Sequence, residues 1–252
     1  MTDVQATLRE INGRGEWFHD PDRPDSHNVG PHLIVIDDFY PDPHAIRELA
    51  LQQEFHHFAP PLASQVGDEV ARIYAKQGTL KSTAVVVFGG QKVNHPIYGF
   101  RHNPPEVAQL MAKHLGEEIE HDTWEHGGDY WNGAFHLTDE DFEMKATHTH
   151  YKAGDVEPYG WSGVLFLSPD APRRAGTSIW RSLVTGQCIS QYGAFFDPDM
   201  SKFEMAFLAE NRFNRLVLFR ENILHRAERG FGTGTDARLT QTFFFRTRPR
   251  AA

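Results

Sequence analysis

The chain has 252 residues, of which 40% are apolar, 12% aromatic and 23% charged, and its formal net charge is -9. That length suffices for one sizeable core. A negative chain without a clustered Lys/Arg run is unsuited to nucleic acid or to an anionic membrane surface, both of which need basic patches against phosphate. No apolar run reaches the length that crosses a bilayer, and the single cysteine, Cys188, excludes an intrachain disulfide. With no secretion signal read in residues 1–10, the expected setting is cytoplasmic and the expected partner a small-molecule substrate.

Residues 1–30 are polar and contain Asp20-Pro21-Asp22-Arg23-Pro24-Asp25, which reads as an irregular lead-in. Residues 31–252 read as a single domain. The apolar run 32–40 is a strand closed by a turn. Asp42 then caps a helix with Pro43 at its first position, and Ile46, Leu49 and Ala50 recur at helical spacing. His56-His57 follow as a solvated pair near the C-terminal end of that helix. The β-branched run 84–88, bounded by Gly89-Gly90, is a strand and turn. A second helix spans 105–115, where Pro104-Pro105 mark the start and Val107, Leu110 and Met111 form an apolar stripe. Helical support therefore covers about 42–115. His121, Asp122, His126 and Asp129 form a His/Asp-rich stretch whose spacing fits no closed tetrahedral site, and it reads as a lid or substrate loop at most.

From Tyr130 onward the texture becomes short strands separated by Gly, Pro, Asp and Asn, with strands expected over 131–137, 145–151, 162–167, 178–180, 191–196, 215–219 and 239–245. One short helix is expected near 202–209. The fold class is mainly β with flanking helices, a sandwich or open barrel. Gly230, Gly232 and Gly234 lack the strand-loop-helix setting of a phosphate loop and read as a flexible connection.

Three segments carry chemistry. In Ala146-Thr147-His148-Thr149-His150-Tyr151 the two histidines lie on one face of a strand and can converge on one metal ion. A hydrogen-bonded pair on an edge strand competes with that reading. The apolar strand 215–219 runs through a turn to His225, which could meet the first pair across a barrel or be an ordinary loop histidine. In Arg238-Leu239-Thr240-Gln241-Thr242, the residues Arg238, Thr240 and Thr242 share a face. An Arg with a hydroxyl two residues on makes a carboxylate clamp, because the planar guanidinium offers two parallel hydrogen bonds. Leu239, Phe243 and Phe245 supply apolar surface, and the change of phase near Gln241 suggests a bulge or a doubly buried end.

The order of these segments resembles the iron(II) and 2-oxoglutarate-dependent oxygenases, and among them the prolyl-hydroxylase-like branch, over about half of the chain. His148-Thr149-His150 stands where such proteins carry His-x-Asp/Glu, Ala175-Gly176-Thr177 resembles a Gly-Gly-Thr turn, His225 matches the second histidine, and Arg238-Leu239-Thr240 matches the 2-oxoglutarate clamp. The resemblance implies a double-stranded β-helix (jelly-roll) core, with Fe(II), 2-oxoglutarate and O2 as cofactors and co-substrate. It also implies metal ligands His148, His150 and His225, 2-oxoglutarate held by Arg238 and Thr240, and oxidation of a C–H bond of a small metabolite. One departure stands out: the carboxylate position of the facial triad is filled by His150. An all-histidine triad, a carboxylate supplied by Asp155, or an exogenous ligand in the place of the carboxylate are the three ways to complete the site, and the bulk of His150 disfavours the last. Trp131, Asn132, Phe135, Trp161 and Trp180 are candidate pocket walls, although core packing is the commoner fate of such residues. Arg173-Arg174 is a turn near the presumed site. Two further readings stand beside this one: a three-histidine dioxygenase of the cupin type without 2-oxoglutarate, and a non-enzymatic metal-binding β-sandwich.

Overall fold

The computed structural model of the chain describes residues 32–57, 68–85, 98–126, 131–150, 160–190 and 196–248. The lead-in expected over 1–30 and the candidate ligand Asp155 lie outside the described residues, as do 86–88 of the expected strand 84–88 with its Gly89-Gly90 turn, and 191–195 of the expected strand 191–196.

Local sequence explains the helices. Asp42 accepts a hydrogen bond from the Ala45 amide at 3.0 Å and starts α1 (Pro43–Leu51), with Pro43 in the first turn where its missing N–H costs nothing. Helix α2 (Asp68–Ala75) has Asp68 and Glu69 in its first turn, where they complement the helix dipole. Helix α3 (Pro105–Leu115) buries Val107, Met111 and Leu115 and stops at Gly116, whose φ of 70° suits glycine. The His/Asp-rich stretch opens as a short helix, α4 (His121–His126), on which exposed His121 pairs with Glu125. Asp129 lies outside the described residues.

The strands, in chain order, are β1 (Leu33–Ile36), β2 (His56–His57), β3 (Leu80–Ser82), β4 (Ala84–Val85), β5 (Tyr98–Gly99), β6 (Glu118–Ile119), β7 (Phe135–Thr138), β8 (Thr147–His148), β9 (Gly160–Phe166), β10 (Thr177–Ser182), β11 (Phe196–Asp197), β12 (Phe203–Ala209), β13 (Leu216–Arg220), β14 (His225–Ala227) and β15 (Arg238–Arg248). A larger sheet has the order β1-β13-β9-β15-β7-β3-β2, with β6 paired to β15, and a smaller one the order β11-β8-β14-β10-β12. From β7 onward the chain winds between them: β7, β9, β13 and β15 enter the larger sheet, β8, β10, β12 and β14 the smaller, and their pairings are antiparallel. This winding is a double-stranded β-helix, the fold class expected.

Strand alternation divides the larger sheet into two faces. On β13, Leu216 and Leu218 join the cluster beneath α3, which includes Met111, Phe135 and Leu165, whereas Val217 and Phe219 join an inner cluster with Phe166, Ile179 and Ile223. Burial of each such aromatic ring contributes about 2 kcal/mol, so both faces of the sheet add to stability. Strand β15 obeys the same rule. Leu239, Phe243 and Phe245 face α3 and Gln241 accepts from the Tyr40 hydroxyl at 3.0 Å on that side, while Arg238, Thr240, Thr242 and Phe244 line a cavity between the sheets. Its register against β9 runs unbroken from Thr240 to Arg246, so the phase change at Gln241 is a doubly buried strand and not a bulge.

Several expectations need correction. Residues 203–209 form β12, not a helix: Phe203, Phe207 and Ala209 are buried and the segment pairs along β10, with a register shift between Ile179 and Trp180. Apolar spacing in seven residues does not separate helix from strand, and the sheet partner decides. His56-His57 is a short strand paired with Ser82 and Lys81, not a helix-terminal pair. The glycine connection is partly ordered: Gly230 donates its amide to the Phe142 carbonyl, and Gly234–Asp236 is a 3-10 turn.

Candidate metal centre

Strands β8 and β14 are neighbours, with His148 directly opposite His225. His150 lies just beyond the end of β8, where its amide donates to the Glu221 carbonyl at 2.9 Å, in the turn that precedes β14. The three side chains meet: their ligand atoms all lie within 4.8 Å of one another, and the Nε2 atoms of His150 and His225 are 3.0 Å apart. Two nitrogens bound at right angles to one ion at about 2.1 Å would stand about 3.0 Å apart. Neutral imidazoles of this kind suit iron, zinc, copper and nickel.

Protonation favours a metal. Burial pushes His148 down to about 4, and burial with the neighbouring His148 pushes His150 down to about 3. His225 lies well below its ordinary value through burial, then through His148 and His150. The Nδ1 of His225 is 2.8 Å from the Ile223 carbonyl. A carbonyl only accepts, so Nδ1 carries the proton and Nε2 of the neutral ring turns a lone pair toward His150. Packing fixes the rings: Phe219 lies 4.4 Å from His225 and Phe244 lies 5.0 Å from His150, centroid to centroid.

The triad lines one side of a cavity of about 130 Å³. Arg238 and Thr240 line it too. Arg238 is buried; its Nε donates to the Ala175 carbonyl at 2.7 Å and its Nη2 to the Gly176 carbonyl at 3.1 Å. Burial lowers its pKa to about 10, opposed by the charge of Glu228, and it stays cationic at neutral pH. Among the described residues it forms no ion pair with a carboxylate. Its β7 partner Thr138 and the nearby Thr177 also line the cavity, each with a buried hydroxyl that has no hydrogen-bond partner among the described residues. A cation and two unpaired hydroxyls beside one pocket are a receptor for an anion.

Of the candidate walls, Trp131 lines the cavity; Asn132, Phe135, Trp161 and Trp180 are not among its described lining. Trp161 instead packs under the Arg220 guanidinium at 3.9 Å, beside the Arg220–Glu117 ion pair. Arg173 pairs with Glu210 on the surface, and the service of its turn to the site is through the carbonyls of Ala175 and Gly176. Sequence reasoning passed over His136. It is buried, its Nε2 lies 2.8 Å from the Thr242 hydroxyl, and burial, then the charge of Arg238, pushes its pKa to about 3. The available signal was the position of His136 and Thr138 two residues apart on one strand.

No known protein-family profile matches the chain, and no curated protein matches its sequence. Solved structures similar to it include the non-haem alpha-ketoglutarate-dependent epimerase SnoN from nogalamycin biosynthesis, at 11% identity and a TM-score of 0.43, covering 96% of this chain and 84% of that one. A Pseudomonas putida prolyl-4-hydroxylase is similar at 13% identity and a TM-score of 0.38, covering 86% and 93%. HygX from Streptomyces hygroscopicus, solved with nickel and 2-oxoglutarate, is similar at 11% identity and a TM-score of 0.37, covering 85% and 82%. Likeness at this level defines no activity; the chemistry rests on the site itself. Among the described residues no helix is long and apolar enough to cross a membrane.

Proposed function

We propose that the protein is a non-haem iron oxygenase that uses 2-oxoglutarate and O2 to oxidise a C–H bond of a small metabolite such as an amino acid or natural-product intermediate. The observation that carries this reading is a buried Arg238, with no carboxylate partner among the described residues, lining the same cavity as three convergent imidazoles. His148, His150 and His225 would hold the metal. When bound, the metal supplies the redox chemistry that couples decarboxylation of the keto acid to oxidation of the substrate, giving succinate, carbon dioxide and product.

The protein's own share is binding, orientation and exclusion of water. The Ala175 and Gly176 carbonyls fix the plane of the Arg238 guanidinium before any ligand arrives, so little side-chain entropy is lost on binding a carboxylate. Thr240, with Thr138 and Thr177, offers hydroxyl donors to the same group. Phe142, Met144, Val164, Phe219 and Phe244 make the remaining wall apolar, which keeps water from the reacting centre and strengthens each polar contact within it.

A second reading is favoured by His150 itself: a three-histidine dioxygenase without 2-oxoglutarate, with Arg238 binding the substrate carboxylate directly. One assay separates the two. Fe(II)-dependent formation of succinate from 2-oxoglutarate is expected. Absence of both turnover above background and 2-oxoglutarate binding by the Fe(II)-loaded protein eliminates the first reading.

A further inference from the structure

We infer that His136 reads the substrate: its Nδ1 accepts a hydrogen bond from a neutral donor, a hydroxyl or an N–H, carried on an apolar body that lies along the β7 flank of the cavity. The inference rests on the reading above that the triad and Arg238 hold a metal and 2-oxoglutarate, and it adds the class of molecule that stands beside them.

The cavity has two sides. In the larger sheet β15 separates β9 and β13 from β7 and β3. The rings that pack on His225 and His150, Phe219 and Phe244, come from β13 and β15. Beyond β15 the lining is Leu80 of β3, His136 of β7, and Trp131, Phe142 and Met144 from the segments before and after β7. That flank is apolar surface around one imidazole.

The proton on that imidazole can be placed. The Thr242 hydroxyl lies 2.8 Å from His136 Nε2 and 3.1 Å from the Trp131 carbonyl. A carbonyl only accepts, so when Thr242 donates to Trp131, Nε2–H donates to Thr242 and both contacts are hydrogen bonds. With the proton on Nδ1 instead, Thr242 can donate to only one of the two, and a buried N–H is left without an acceptor. The first arrangement makes one more hydrogen bond and leaves Nδ1 as a bare lone pair. Nδ1 is buried and has no partner among the described residues. Burial and the charge of Arg238 keep the ring neutral.

A buried acceptor without a donor costs stability, and a ligand that supplies the donor recovers it. The keto acid cannot. Its carboxylates are ionised at neutral pH and its keto oxygen only accepts, so the donor belongs to the other organic molecule, the substrate. An ammonium there would meet the charge that Arg238 already exerts on this ring. A hydroxyl or a neutral N–H meets no such opposition.

The test uses phenol and toluene, two probes of one shape that differ in a hydroxyl against a methyl group, titrated by NMR into protein loaded with redox-inactive Zn(II) and 2-oxoglutarate. The preference of wild type for phenol should exceed that of His136→Leu by roughly tenfold, the worth of one hydrogen bond. A merely structural role would weaken both probes together. An unchanged preference therefore overturns the inference, as does failure of wild type to bind either probe. Nitrogen NMR of the histidine rings in wild type, with His136 recognised by its packing on Trp131 at 5.0 Å, should show Nδ1 without a proton. A protonated Nδ1 overturns the inference even where His136→Leu does not fold. These results leave the oxygenase reading standing; absence of both 2-oxoglutarate binding and succinate formation defeats that reading, whatever the probes show.

Discussion

His150 and His225, 75 residues apart in the chain, present their Nε2 atoms to one another at 3.0 Å. The Ile223 carbonyl holds the proton of His225 on the far side of its ring, so the Nε2 lone pair of His225 faces His150. Two imidazoles so placed share either a proton or a metal. Replacing His225 by Ala should weaken metal binding by more than the roughly 100-fold that loss of a supporting hydrogen bond to a ligand costs. Metal content after dialysis against weak chelator is the measurement, and undiminished content would remove His225 from the site.

Arg238 is held by two carbonyls in a fixed plane. Arg238→Ala should weaken 2-oxoglutarate binding to the metal-loaded protein by roughly 100-fold, the scale of a buried charged contact. Arg238→Lys should recover little, because an ammonium cannot bond both the Ala175–Gly176 carbonyls and a carboxylate in parallel geometry. Unchanged affinity in the alanine variant, read by quenching or calorimetry, would remove the anchoring role.

Gly176 gives an independent route to the same contact. A Cβ built there would stand 1.9 Å from the Ala209 carbonyl oxygen, so the turn must move away from β12. Gly176→Ala should therefore loosen the carbonyl pair behind Arg238 and weaken 2-oxoglutarate binding while metal content is retained. Loss of metal together with the co-substrate would show that the turn supports the whole sheet instead.

Buried Arg220 pairs with half-buried Glu117 at 2.9 Å, with the Arg220 guanidinium 3.9 Å over Trp161. Arg220→Leu removes this contact and leaves Glu117 without its cation, and should cost about 3 kcal/mol of stability. Urea denaturation monitored at the tryptophans measures this, and a midpoint shift equivalent to less than about 1 kcal/mol would mean that water reaches the pair.

Stability of the apo protein should fall as the medium is acidified. Burial, with Arg238, holds His136 to about 3, and burial, with Arg220, holds His32 to about 4. In the unfolded chain both titrate near 6.5. Below that value the unfolded chain takes up protons that the native chain refuses, so stability present above pH 6.5 is lost as the pH falls toward 4 and then 3. Each histidine should cost about 2 kcal/mol between pH 7 and pH 5. Denaturation at pH 5, 6 and 7 in the presence of chelator should give a shallower pH slope for His136→Phe than for wild type; parallel slopes would place His136 in contact with water.

The helices were legible where punctuation and periodicity agreed, as in α3, with proline at its start and an apolar stripe along it. The alternation of β15 was legible because Arg238, Thr240 and Thr242 have period two. Segment β12 was misread since Phe203 and Phe207, four residues apart, satisfy a helical spacing as readily as a strand, and only β10 decides. The meeting of His148, His150 and His225 follows from the pairing of β8 with β14, which lies beyond local spacing. His136 gave no signal of its own, because one histidine in a buried strand looks the same whether it faces a core or a cavity.

The unbroken register of β15 against β9 makes this strand intolerant of any change in length. Insertion or deletion of one residue between Arg238 and Phe245 would exchange its two faces. A guanidinium and two hydroxyls would then be driven among Leu137, Leu165 and Met111, and phenyl rings into the cavity. Substitutions on this strand can be tolerated singly, but single-residue length variation in this half of the chain is confined to the connections on either side of it.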